Sequence, residues 1–222
     1  MRVLTWNLFH GRAVPGAGRS LEGEFASALR GWEWDVALLQ EVPPWWPAPL
    51  AGECDVALTS RNALLPARRW LAERWPDVMR SGGGSANAIL VRGDGISARA
   101  RRRLRLWPER RVVHAVQLRS SGVWVANLHA QVHSPQRAEA DIALAGSSVL
   151  RWAGPEAPVV LGGDFNVRRP AVEGFVHAGG HGVDHVFARG MRPVGRARVL
   201  DHGSLSDHAP VLVELEASSS AS

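Results

Sequence analysis

Short apolar, strand-like runs recur along this chain, and several of them stop on a side chain that can do chemistry. This recurrence constrains the fold more than any bulk property. The runs cover residues 2–8, 35–39, 87–92, 112–118, 123–128, 159–162, 184–187 and 209–215, most of them bounded by turn residues. Val36-Ala-Leu-Leu and Val159-Val-Leu are continuously apolar, as strands covered on both faces are. The sets Val112/His114/Val116 and Val123/Val125 alternate, which fits strands with one wetter face. Helical patterns lie between the runs. Ser20 is the expected cap of a helix over 21–32, with Leu21, Phe25, Ala28, Leu29 and Trp32 on one face. A second helix is expected over about 67–75. The clearest starts with Ser134 as N-cap and Pro135 at the first helical position, then runs to about Trp152 through Ala138, Ile142, Ala145 and Val149.

Glycine and proline cluster at 13–18, 43–52, 81–84 and 174–182, which read as loops. No internal repeat or linker divides the chain, so residues 1–216 are expected to form one domain and 217–222 a flexible tail. Helices alternate with strands early and late around a strand-rich middle. From pattern alone that is an α/β or α+β arrangement with sheet pairing inside a helical shell.

With 222 residues the chain can bury roughly 70% of its unfolded surface, so it folds without disulfide or metal staples. Its lone Cys54 excludes an internal disulfide and fits a reducing compartment. No apolar run approaches the ~18 residues of a membrane span. The first residues lack the pattern of a secretory signal, so the expected location is cytoplasmic, without stable membrane insertion. All 26 basic residues are arginine, against 21 acids, a net charge of +5. Arginine forks bind phosphate well. A GC-rich codon bias produces the same replacement of lysine, so charge alone assigns no partner.

The polar residues that close the runs form a chemically coherent set: Asn7, Glu41, His129, Asp164, Asn166 and the pair Asp207-His208. Each alone is most simply a turn former or a satisfied core group. Together they place hard oxygen donors and imidazoles at strand ends, where α/β proteins gather ligands. Carboxylates and an amide suit Mg2+ or Mn2+ better than zinc, and histidines supply proton transfer near neutral pH. No serine elbow, Walker loop or Gly-x-Gly-x-x-Gly fingerprint is present.

Seven segments carry a resemblance: Thr5-Trp-Asn-Leu, Asp35-Val-Ala-Leu-Leu-Gln-Glu-Val, Asn87-Ala-Ile-Leu-Val, Asn127-Leu-His, Leu161-Gly-Gly-Asp-Phe-Asn, Val183-Asp-His-Val-Phe and Leu205-Ser-Asp-His-Ala-Pro-Val. In this order they resemble the endonuclease/exonuclease/phosphatase superfamily, the deoxyribonuclease-I-like fold. The resemblance implies a four-layer α/β/β/α sandwich of two mixed, mainly antiparallel β-sheets flanked by helices. It also implies phosphate-ester hydrolysis with Mg2+ or Mn2+ and no covalent enzyme intermediate. Glu41 is then the principal metal ligand, with Asn7 beside it and Asp207 assisting. His208 is the general base or a phosphate contact, oriented by Asp184. Asp164 aligns water or assists the leaving group, and Asn166 and His129 bind phosphate, His129 also protonating the leaving oxygen. Arg111, with Arg110 adjacent, matches a phosphate-contacting arginine of some relatives.

The run 99–105 reads either as a track for a polyanion backbone or as a solubilising exposed hairpin. Among ten tryptophans, Trp45, Trp46 and Trp70 fall in or near a loop region, while Trp6, Trp124 and Trp152 read as core. Tyrosine is absent, and Asn127-Leu-His stands where DNA-repair relatives carry a tyrosine segment, which disfavours abasic-site repair. The leading expectation is a phosphodiesterase acting on nucleic acid, DNA or RNA. The alternatives are a sphingomyelinase-type phospholipid phosphodiesterase, which would call for an exposed apolar hairpin, and a small-molecule phosphatase. A binding module without activity requires a missing site residue, and none is missing. No protein partner is inferable.

Overall fold

The structure, a computed structural model, describes residues 1–58 and 66–218. Its strands are β1 (Arg2–Asn7), β2 (Val36–Val42), β3 (Asp55–Leu58), β4 (Ala86–Val91), β5 (Ile96–Arg105), β6 (Arg111–Leu118), β7 (Trp124–His129), β8 (Val159–Asp164), β9 (Val176–His181), β10 (Asp184–Arg189), β11 (Met191–Pro193), β12 (Arg198–Val199) and β13 (Val211–Ala217). The helices are α1 (Glu22–Gly31), α2 (Pro47–Ala51), α3 (Pro66–Arg74), α4 (Pro76–Met79) and α5 (Pro135–Ala153). One sheet has the order β11-β13-β1-β2-β4-β3, with β12 also on β13. The other runs β5-β6-β7-β8-β10-β9. In each sheet one parallel pair, β1 with β2 and β7 with β8, sits among antiparallel neighbours.

Strand alternation explains the layers. Val3, Val36, Leu38 and Ile89 of the first sheet meet Val116, Val125, Val160 and Val186 of the second in one dry cluster. The alternate residues Leu4, Trp6, Ala37 and Leu39 pack outward on Phe25 and Leu29 of α1. On the other side Val113, Ala126, Leu128 and Leu161 pack on Ala138, Ile142, Ala145 and Val149 of α5. Each fully buried Leu or Phe contributes about 1.5–3 kcal/mol. The result is the expected α/β/β/α sandwich. Among the described residues no helix is long and apolar enough to cross a membrane.

The α5 start is as read: Ser134 Oγ accepts a hydrogen bond from the Arg137 N–H, with Pro135 leading the helix. Other readings need correction. The α1 N-cap is Leu21, with no side-chain bond from Ser20. The glycine-rich stretch 174–182 is not a loop. Residues Val176–His181 pair with β10, because the Ala178–Gly180 segment must lie flat against neighbours: a Cβ on Gly180 would meet His185 Nδ1 at 2.3 Å. Nor does the chain fray at 217. Ala217 pairs with Met191, and the Ser218 N–H donates to Gly190 O; 219–222 lie outside the described residues. Trp46 is buried against Phe25 rather than displayed on a loop, and Trp70 is exposed.

Candidate active site

Period-two geometry brings the polar strand ends to one place. The face of β1 that carries Val3 also carries Thr5 and Asn7; the Val125 face of β7 carries Asn127 and His129; the Val160 face of β8 carries Gly162 and Asp164. Parallel pairing puts the ends of β7 and β8 side by side, His129 opposite Asp164. Antiparallel β10 then starts there, with Asp184 opposite Asp164. All these groups emerge at one rim of the inter-sheet layer.

Glu41 arrives differently. On a regular β2 it would point outward, but the register breaks between Leu39 and Val42 and Glu41 takes φ 51°, a bulge that turns its carboxylate inward. The described non-glycine residues at left-handed φ are Phe9, His10, Glu41, Arg80, Asn166 and Ser206. Five of them line the same cleft, and Ser206 adjoins Asp207. Such concentration of backbone strain is a mark of a functional site. Gly162 and Gly163 allow the close approach behind Asp164: a Cβ on Gly163, at φ 143°, would sit 1.9 Å from Leu128 O.

Chain ends meet here. Ser206 Oγ donates to Asn7 O at 2.6 Å and accepts from the His208 N–H, while Trp6 Nε1 donates to His208 O. His208 Nδ1 then lies 2.7 Å from Asp184 Oδ2. Asn7 Nδ2 donates to Asp164 Oδ2 at 3.0 Å, and the Asn166 N–H to Asp164 Oδ1 at 2.9 Å. His129 Nε2 stands 3.7 Å from Glu41 Oε1 and 3.6 Å from Asp164 Oδ2, tying the two carboxylates into one cluster. Beneath it, Gln40 Nε2 donates to Asn127 Oδ1, and Asn127 Nδ2 to Leu39 O and Ala88 O, which locks the sheets together.

The cleft measures about 540 Å³ and takes in Asn7, Glu41, His129, Asp164, Asn166, Asp207, His208 and Arg111. Every site residue expected from sequence therefore converges, with Asp184 just behind His208. Sequence reading missed His10, Arg12 and Arg80. His10 Nε2 is 3.0 Å from Glu41 Oε2; Arg12 lies over the Phe9 ring. All three sit in turns, where no strand pattern marks them. The Gly11 that follows His10, at φ 75°, is the one local signal of a tight turn there.

Electrostatics divide the cleft. Burial alone would raise Glu41, but the hydrogen bond and charge of His10, with smaller pulls from the nearby His129 and the Asn7 amide, bring it down to about 2. Burial and the neighbouring Asp184 push Asp164 up to about 6. Burial opposes a charged His208, yet the Asp184 bond and the charges of Asp184, Asp164 and Asp207 raise it to about 9. His129 falls well below 6.5 through burial and the Arg111 charge. Arg111 pairs with Glu109, and its buried Nε has no partner among the described residues.

The donor set fits a hard divalent cation. Glu41, Asp164 and Asp207 line the cleft with the amides of Asn7 and Asn166, Asp184 stands just behind, and the lone thiol, Cys54, packs elsewhere. Ligand atoms of Asp164, Asp184 and His208 lie within 4.8 Å of one another, a candidate cation cluster. In that trio the facing His208 and Asp184 atoms are already bonded to each other. Glu41 and Asp207 line the cleft outside that trio.

A four-layer sandwich whose acidic, imidazole-bearing cleft opens at paired strand ends defines a phosphoesterase fold. The family model for the Endonuclease/Exonuclease/phosphatase family matches residues 4–208, and the chain belongs to that family. A search of curated proteins finds no match. Solved structures share the fold at low identity. A mannosyl-6-phosphatase from Bacteroides thetaiotaomicron is 16% identical, with 97% of this chain and 99% of that one covered at TM-score 0.75. An endonuclease/exonuclease/phosphatase from Beutenbergia cavernae is 21% identical, covering 98% and 71% at TM-score 0.71. Humanized D. rerio TDP2 is 14% identical, covering 97% and 98% at TM-score 0.71.

Proposed function

We propose that the chain is a Mg2+- or Mn2+-dependent phosphodiesterase that cleaves nucleic acid through direct attack of an activated water. The observation that carries this reading is an anionic floor beneath a cationic rim in one cleft: Glu41, Asp164 and Asp207 below, Arg12, Arg80, Arg110 and Arg111 around. A hard cation fits the floor, and a phosphate diester fits between floor and rim.

Glu41, fully ionised at about 2, would hold the ion together with Asn7 and Asp207. When bound, the ion supplies positive charge opposite the phosphate oxygens as their charge rises in the transition state. Asp164, at about 6, lies where a base is most effective near neutral pH, and it takes the proton of the attacking water. His208, cationic up to about 9 and aimed by Asp184, donates from Nε2 to a phosphate oxygen; this favours its phosphate-contact role over the base role. Neutral His129 contributes a hydrogen bond to the same phosphate rather than a proton. Asn166, steadied by its bond to Ala130 O, adds a donor beside Asp164, and Arg111 adds a guanidinium from the wall.

A second reading, a small-molecule phosphomonoesterase, is favoured by the near-complete overlap with the mannosyl-6-phosphatase structure. Hydrolysis of bis(p-nitrophenyl) phosphate, p-nitrophenyl phosphate and labelled DNA and RNA with Mg2+ or Mn2+ separates the two. Glu41→Gln is expected to lower turnover about 100- to 1000-fold, the usual loss when one charge-stabilising group is removed. It also abolishes the metal-induced rise in melting temperature. Undiminished turnover in Glu41→Gln rejects the assignment, and turnover of monoesters alone selects the second reading.

A further inference from the structure

The β5–β6 hairpin leaves the cleft carrying groups that the hydrolytic machinery does not use. Across the hairpin Arg103 pairs with Val112, Arg101 with His114 and Arg99 with Val116. Cross-strand partners share a face. Val112 lines the cleft and Val116 belongs to the inter-sheet cluster, so the three arginines continue the face on which the cleft opens. All three are exposed, and none has an ion pair among the described residues. Their neighbours behave differently: Arg102 bonds Ser148 and Arg105 pairs with Asp141, anchoring the opposite face of β5 to α5. The hairpin is thus clamped from behind, and the arginines in front have no ion pair among the described residues. Alternate residues on a strand are about 6.6 Å apart, so the row reaches about 13 Å from the cleft mouth.

At the tip stand Leu106 and Trp107, 63% and 79% exposed. Glu109 and Arg110, just past the tip, line the cleft. A large aromatic held in solvent beside a basic cleft presents a flat face, and no ring of the described residues stacks on it. Phosphates along an arginine row and a base on an aromatic face are the two halves of single-strand recognition. A duplex satisfies only the first, because its base faces are already stacked.

We propose that the Arg99/Arg101/Arg103 row and Trp107 form a single-stranded polynucleotide track leading into the cleft, so that the substrate is a strand several nucleotides long. The inference rests on the phosphodiesterase reading for its direction into the cleft, but its test does not need turnover. Fluorescein-labelled (dT)12 is titrated by anisotropy in EDTA across a salt series, with a 12-base-pair duplex and phosphatidylcholine/phosphatidylglycerol vesicles alongside. Wild type is expected to prefer (dT)12. Arg99→Gln/Arg101→Gln/Arg103→Gln lowers the slope of log affinity against log salt by about 2, at roughly 0.7 per neutralised phosphate. The corresponding Lys triple variant restores the slope. Trp107→Ala weakens (dT)12 about 5-fold or more while leaving the slope in place.

An unchanged slope in the Gln triple variant, equal affinity for duplex, or binding to vesicles in place of the oligonucleotide overturns the track. Hydrolysis of bis(p-nitrophenyl) phosphate is measured in parallel. Turnover without strand binding sinks this inference alone, and strand binding without turnover sinks the hydrolase reading alone.

Discussion

Asp184→Asn gives the sharpest test of the site's electrostatics. Asp184 is 4% exposed and holds His208 Nδ1 at 2.7 Å. Raising an imidazole from 6.5 to about 9 amounts to about 3 kcal/mol in favour of its cation. The asparagine keeps the shape and removes the charge. Burial, the largest opposing influence on His208, then pulls the imidazole down, against only the remaining charges of Asp164 and Asp207. For the metal-free protein the sign follows from a raised folded value: the stabilisation is complete below 6.5 and lost as pH climbs through about 9. Wild type should therefore lose stability between those limits, and Asp184→Asn should lose little. NMR titration of the His208 ring and urea melts in EDTA from pH 6 to 10 read both. In the pH–rate profile of diester hydrolysis the alkaline limb should move to lower pH. A limb and an NMR titration unchanged in Asp184→Asn would refute the claim that this carboxylate sets the charge of His208.

Two predictions concern the frame that holds the cleft. Gly163→Ala forces a Cβ to within 1.9 Å of Leu128 O at φ 143°, and should cost about 4 kcal/mol or more, read as collapse of the melting temperature or failure to fold. Asn127→Ala strips partners from Gln40 Nε2, Leu39 O and Ala88 O between the sheets, and should cost about 3 kcal/mol by chemical denaturation, with activity falling as the two rims lose their mutual register.

Much of the site was legible because a strand ends where its hydrogen-bonded run ends, so a polar residue closing an apolar run is placed at a rim by chain connectivity alone. Asn7, His129 and Asp164 follow that rule. The parallel pairs that bring those ends together were not readable, since nothing in an isolated strand states its neighbour. Glu41 was found by its motif, whereas the bulge that turns it inward leaves no periodic trace. His10, Arg12 and Arg80 lie in turns and escaped pattern reading altogether. β9 escaped because glycine lowers strand propensity, and here close packing outweighs propensity. The exposed hairpin tip was overlooked because Leu106 and Trp107 are brief apolar interruptions in an arginine-rich stretch.

The staple between Ser206 and Asn7 joins residues 199 positions apart, and β1 completes its sheet only when β13 arrives. During synthesis the early half of the chain therefore emerges with an open sheet edge and half a cleft. Trp6 and Asp184, which bond His208, precede it in the chain, so the cleft is completed only when the segment carrying His208 arrives. The cleft is therefore assembled only once strands from both ends of the fold are in place together.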